Sequence, residues 1–310
     1  MIAFIFPGQG SQQVGMGQDL AEHFPASREA FDLAGKVLGY DLWALCVNGP
    51  EGQLKQTEYA QPALLVTGIA CWRAACERGL SADFTAGHSL GEYTALVASG
   101  ALDLADAVRL VKRRSELMSQ AAQSRPGAMA ALLGLSREQV ESVCAKADDA
   151  GLVQPANFNC PGQIVISGEV EAVAKARQLA AEVGGKAIPL AVSGAFHSPL
   201  MAEAALAFAQ ELAQVPFADV QIPVVANVSA RPVRTTAEIR EALARQMISP
   251  VLWEDSIRRL IADGVDTFLE LGPGGKLSGM IGRIDASVHR ASVADTASLD
   301  QAWQGLTAKG

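Results

Sequence analysis

The sequence predicts an α/β fold: a parallel sheet between helices, with a smaller βαββαβ unit inserted into it. Three features point there. Short apolar runs alternate with helical stretches in the first and last thirds of the chain. The rhythm changes between residues 125 and 192. Gly87-His88-Ser89-Leu90-Gly91 then has the form G-x-S-x-G, a turn that joins a buried strand to a helix.

Strands are expected at Ile2–Phe6, Asp83–Ala86, Val220–Ala226 and Val265–Leu271. Each is an apolar run of the kind that strands buried on both faces require. Helices are expected at Asp103–Ala121, Pro199–Ala213, Ala237–Met247 and Glu254–Asp263, with a further run from Leu90 to Ser99 that Gly100 closes. In the middle region, Ala128–Leu133 reads as a strand, and Ser136 caps a helix whose apolar stripe is Val140, Val143, Cys144 and Ala147. Strands at Val153–Phe158 and Ile164–Ser167 follow. A helix from Val170 to Val183 then presents Val173, Ala176, Ala180 and Val183 on one face, and Lys186–Leu190 is the last strand. That order is ferredoxin-like. The chain is therefore divided into a large domain from residues 1–124 and 193–310 and a small domain from 125–192.

Composition narrows the function. A net charge of -8 lacks the basic footprint of a nucleic-acid binder. No apolar run is long enough to span a membrane, so no membrane association is expected. The five cysteines are scattered without a C-x-x-C pair, which predicts no disulfide framework, no metal site and a reducing, cytoplasmic setting.

The G-x-S-x-G turn supplies a candidate nucleophile, Ser89, and one oxyanion donor, the amide of Leu90. A serine needs a base, and the chain has four histidines. His88 adjoins the serine but leaves the turn in another direction, which suits packing or orientation. His23 and His289 read as surface residues. His197, in the small-residue loop Ser193–Pro199, is the base by elimination. Pro7-Gly8-Gln9-Gly10-Ser11-Gln12 fails as a dinucleotide fingerprint. It is a plain strand-to-helix turn or, more sharply, the source of a second oxyanion amide at Gln9. Arg114 falls on the apolar stripe Ala107, Leu110, Val111, Leu117, Met118 and Ala121. An inward arginine needs an anion, either an internal Asp or Glu or a substrate carboxylate; the pattern alone leaves both open. Gly272-Pro273-Gly274-Gly275-Lys276 fails as a P-loop and reads as a turn after the last large strand.

Five segments carry a resemblance: Phe6–Gln12, Gln61-Pro62-Ala63-Leu64, Gly87–Glu92, Ala156-Asn157-Phe158-Asn159 and Gly194-Ala195-Phe196-His197-Ser198. In this order they resemble the malonyl-CoA:acyl carrier protein transacylases, across nearly the whole chain. The resemblance implies a hydrolase-like α/β domain with a ferredoxin-like insertion. It implies Ser89 as nucleophile, His197 as base, and Gln9 and Leu90 as oxyanion donors. It implies Arg114, in Arg114-x-x-x-Met118, as the holder of the malonyl carboxylate. Gln246 would orient the histidine through its backbone carbonyl, which accounts for the lack of an obvious acid. Asn157 and Asn159 would line the cleft and, with His88, the substrate site. Cys160 stands where relatives often have serine, and Leu271–Lys276 varies the usual ending.

The implied reaction is ping-pong transfer of malonyl from malonyl-CoA to the phosphopantetheine thiol of acyl carrier protein, for fatty-acid synthesis, by a monomer without a cofactor. The alternatives are service to a polyketide or malonate-decarboxylase carrier, or a serine hydrolase. Lys112, Arg113, Lys186 and Arg283 are candidate contacts for an acidic carrier.

Overall fold

Strands buried on both faces need helices above and below, and the computed structural model supplies them around one mainly parallel sheet. It describes residues 1–192 and 194–307. The strands in chain order are β1 (Ile2–Phe6), β2 (Phe84–Gly87), β3 (Ala128–Leu133), β4 (Val153–Cys160), β5 (Gln163–Gly168), β6 (Lys186–Pro189), β7 (Val224–Ala226), β8 (Arg231–Val233), β9 (Thr267–Leu271) and β10 (His289–Val293).

The large sheet has the order β10-β9-β1-β2-β7-β8 and is parallel except for the β7–β8 pair. In the centre, Phe6 at the end of β1 is in register with Gly87 at the end of β2. The loops that follow these two neighbours therefore leave the same edge of the sheet side by side. That edge, at the carboxyl ends of the strands, is where ligands meet open α/β sheets.

The second sheet is antiparallel, in the order β4-β5-β3-β6, and carries the helices Arg137–Ala147 and Val170–Glu182. Its own core joins Ala130, Leu132 and Ile166 to Val140, Val143, Ala172 and Ala176. Successive residues of a strand face opposite sides, so Met129 and Ala131 turn the other way and join the core of the large unit. Ser136 caps its helix as expected, in a reciprocal capping box with Gln139.

Several boundaries differ from expectation for identifiable reasons. The run from Val220 becomes strand only at Val224, because Pro223 cannot donate to a ladder. Val183 lies just past its helix and is 46% exposed rather than on the apolar face. The helix after His197 opens with a 3-10 turn, Pro199–Met201, before Ala202–Gln214. The Gly272–Lys276 turn follows β9, but β9 is not the last strand. β10 pairs with it at the sheet edge, where its partly exposed residues left no apolar run to read. β8 was equally faint, three residues with Pro232 at the edge.

Candidate active site

The elbow is built from backbone that only small residues permit. β2 ends at Gly87, and the helix Gly91–Ala98 begins four residues later. A Cβ on Gly87 would overlap the Gly91 backbone, and one on Gly91 would overlap the Phe6 carbonyl. Between them Ser89 sits in the left-handed region at φ 52°. That conformation costs a non-glycine residue about 1–3 kcal/mol and persists only where its surroundings enforce it. Asn227, just beyond β7, does so: it accepts from Ser89 N at 2.7 Å and donates Nδ2 to the Gly87 carbonyl at 2.7 Å.

His197 is the second left-handed residue, at φ 57°. Its carbonyl accepts from Gln154 Nε2 on β4 at 3.1 Å. Its ring places Nε2 2.7 Å from Ser89 Oγ. Nδ1 faces two carbonyl oxygens, Gln246 at 3.0 Å and Ser249 at 3.2 Å. Carbonyls only accept, so Nδ1 carries the ring proton and the Nε2 lone pair faces the hydroxyl. Burial, and then the nearby Arg114 charge, pull the imidazole down to about 3, which keeps it neutral. The loop residue Ser193, read with this segment, lies outside the described residues.

Arg114 is fully buried on the helix Leu104–Ser124. Nη1 donates to Gln61 Oε1 at 2.7 Å, and Nη2 to Gln246 Oε1 at 2.9 Å and to Ser89 Oγ at 3.3 Å. The Tyr93 ring lies 5.3 Å from its guanidinium carbon. Among the described residues no carboxylate forms an ion pair with it; it is held by neutral amides. The internal salt bridge left open by the sequence is therefore not what the structure contains. Arg113, by contrast, pairs with Glu211 at 3.1 Å near the surface.

Gln246 also donates Nε2 to Ser89 O at 3.0 Å and to Glu92 Oε2 at 2.7 Å. Glu92, 2% exposed, accepts as well from Asn227 N at 3.2 Å. Burial pushes its carboxyl up to about 7, against the hydrogen bonds and Arg114 that lower it.

Gln9 and Leu90 stand on the two loops after β1 and β2, and both border a cavity of about 470 Å³. The Ser89 amide is already spent on Asn227. An oxyanion at this serine must find its donors on other residues, and Gln9 and Leu90, the two expected donors, both line the same cavity as Ser89. Met129, Ala131 and Val165 of the antiparallel sheet form the facing wall. His88 reaches across with Nε2 2.9 Å from Asn159 Oδ1, its ring edge-on to Trp253 at 5.7 Å. Asn157 and Asn159, 7% and 4% exposed, both line the cavity, and Asn157 bridges to Val251. At the mouth, Lys276 Nζ donates to the Gly10 carbonyl. His23 and His289 are exposed.

The structure thus gathers Ser89, His197, Gln246, Gln9, Leu90, Arg114, His88, Asn157 and Asn159 around one cleft. Asn227, Gln61 and the inward turn of Glu92 had not been assigned from sequence. Asn227 had a legible signal, a polar residue directly after the buried run Val224–Ala226. Of the basic candidates, Lys186 and Arg283 reach the same end of the antiparallel sheet. Leu133 pairs with Lys186 on one side and on the other with Gln163, whose Oε1 accepts from Arg283. Lys112 donates to the Leu38 carbonyl on a different face. Among the described residues no three His, Cys, Asp or Glu side chains are grouped to hold a metal, and no helix is long and apolar enough to cross a membrane.

The sequence model of the acyl transferase domain family matches residues 3–299. A malonyl CoA-acyl carrier protein transacylase of Bacillus subtilis is 48% identical over 98% of this chain and 97% of that protein. The structure of a malonyl CoA-acyl carrier protein transacylase from Coxiella burnetii superposes with a TM-score of 0.96 at 41% identity, covering 99% of this chain and 98% of that one. A third similar structure is a malonyl-transacylase in complex with a type II polyketide synthase acyl-carrier protein. It has a TM-score of 0.95 and 44% identity, over 98% of this chain and 99% of that one.

Proposed function

The chain belongs to the acyl transferase family, among the malonyl-CoA:acyl carrier protein transacylases, and we propose a mechanism in which Ser89 carries the malonyl group. The enzyme is an S-malonyltransferase. One observation carries the mechanism: Ser89 Oγ lies 2.7 Å from a neutral imidazole and 3.3 Å from a buried guanidinium.

His197 Nε2 takes the Ser89 proton as Oγ attacks the thioester carbon of malonyl-CoA. The amides of Gln9 and Leu90 hold the oxyanion. The C–S bond breaks, CoA leaves as the thiol with the proton from His197, and a malonyl-serine ester remains. The phosphopantetheine thiol of the carrier then gives its proton to His197 and attacks the ester; the bond from Ser89 Oγ to the acyl carbon breaks, and His197 passes that proton to Ser89. Gln246 and Ser249 carbonyls hold the ring through Nδ1, where a serine hydrolase would use an acid. Arg114 pairs with the malonyl carboxylate, while His88, Asn157 and Asn159 shape the cleft between the unit at 125–192 and the unit from 1–124 and 193–310.

The carrier is that of fatty-acid synthesis; the polyketide carrier bound to a similar transacylase makes a polyketide carrier the second reading. The protein works as a monomer in the cytoplasm without metal or resident cofactor, a setting in keeping with five free cysteines. Intact-protein mass spectrometry after incubation with malonyl-CoA tests the mechanism. The wild type should carry one malonyl group, discharged on adding a phosphopantetheinylated carrier. A normal adduct on Ser89→Ala would exclude Ser89 as nucleophile.

A further inference from the structure

Glu92 is a carboxylate in the first turn of a helix, a position that normally faces water. Here it is 2% exposed. A buried carboxylate is costly unless an opposite charge or several donors satisfy it. Its hydrogen-bond donors are Gln246 Nε2 at 2.7 Å and Asn227 N at 3.2 Å. The nearest buried cation, Arg114, is not bonded to it directly. Gln246 stands between them: its Nε2 donates to Glu92, and its Oε1 accepts from Arg114 Nη2 at 2.9 Å. Glu92 Oε2 accepts both bonds, so the NH₂ end of the Gln246 amide is held toward it. With the amide reversed, its NH₂ group would confront the guanidinium donors. Gln61 holds the other side of the arginine through Oε1.

We propose that Glu92 is a positioning residue for malonyl selection, fixing the Gln246 amide so that Arg114 is held beside Ser89 with no carboxylate in its fork. The proposal rests on the reading of Arg114 as the receptor for the malonyl carboxylate. The acceptor set back by one glutamine fixes that amide without occupying the place of the substrate. An aspartate or glutamate bonded to Arg114 directly would balance the charge and close the receptor.

The test compares acylation of the full-length protein by malonyl-CoA and acetyl-CoA, with kcat and KM measured separately, in three variants. Glu92→Leu removes the acceptor. Glu92→Gln keeps an amide oxygen for Gln246 Nε2. The exchange Glu92→Gln with Gln246→Glu keeps the net charge but moves the carboxylate against Arg114. Glu92→Leu should lower the malonyl-to-acetyl ratio about tenfold or more, mostly through the KM for malonyl-CoA, the scale of one hydrogen bond to a charged group. Glu92→Gln should recover the ratio to within about threefold of wild type. The exchange should lower it at least as far as Glu92→Leu, and it decides the matter should Glu92→Leu not fold.

A wild-type ratio in folded Glu92→Leu or in the exchange overturns the proposal, as does a Glu92→Gln protein no better than Glu92→Leu. Failure of the underlying reading looks different: the wild type itself would then show no preference for malonyl over acetyl.

Discussion

Arg114 Nη2 lies 3.3 Å from Ser89 Oγ, so the buried cation and the His197 imidazole meet at the same oxygen. For Arg114→Ala, the malonyl-to-acetyl ratio of acylation rates should fall about a hundredfold, since a site built around a buried charge discriminates by whether that charge is paired. Arg114→Lys should recover little, because one ammonium cannot meet Gln61, Gln246 and a carboxylate in the geometry of a fork. Equal losses for both donors would refute carboxylate recognition.

The pH profile follows from the shift of His197. A group lowered to about 3 stays neutral, and competent as a base, far below the ordinary imidazole range. Single-turnover acylation by acetyl-CoA should therefore show no histidine limb between about pH 8 and about pH 5. Burial is the first cause of the shift and Arg114 the second, so Arg114→Ala should move any acid limb upward, while burial keeps it below the ordinary value. A limb near the ordinary imidazole value that persists in Glu92→Gln would contradict the assignment of His197 as this buried base.

Asn227 should matter to catalysis without touching substrate. In Asn227→Leu, the Ser89 amide and the Gly87 carbonyl each lose their partner. Stability should fall by about 2–4 kcal/mol in urea unfolding, the cost of two orphaned buried groups. The acylation kcat should fall by about tenfold or more for malonyl and acetyl donors alike, because the nucleophile is no longer pinned. A selective loss of one donor would assign Asn227 to recognition instead.

Two glycines give opposite expectations. Gly91→Ala drives a methyl group into the Phe6 carbonyl, which is backbone of the central strand and cannot rotate away. It should cost more than about 3 kcal/mol or abolish folding. Gly279→Ala lies in the helix Lys276–Ile284 with nothing within 4 Å of its new methyl, and should stabilise by about 0.5–1 kcal/mol. Thermal melts of the two proteins check both signs.

The parts of the fold that were legible in sequence share one trait: local pattern and tertiary environment agree. β1 and β3 match their apolar runs from end to end, and Ser136 caps its helix as its position suggests. The elbow was legible because its glycines are demanded by backbone overlap rather than by preference. The helix Thr57–Glu77, which supplies Gln61, is buried on nearly every side and so has no amphipathic period to read. β10 failed for the opposite reason, an exposed edge with no apolar run. At the site, Arg114 was legible as a charge on an apolar stripe. What it bonds to was not, because Gln61 and Gln246 lie 53 and 132 residues from it and only the packing of three helices brings them together. Glu92 was hidden in the same way, since a first-turn glutamate reads as solvated until its neighbours are known.

β3 is a partition with two tenants. Ala130 and Leu132 belong to the interior of the antiparallel unit, while Met129 and Ala131 line the cavity that Ser89 also lines. Nucleophile, base and arginine all come from residues outside that strand. Mutation at these two positions of β3 therefore remoulds the lining and the edge of the large core they join, while the interior of the antiparallel unit keeps its own residues. A lineage, or a laboratory, can explore new acyl shapes there one residue at a time, with the chemistry held constant.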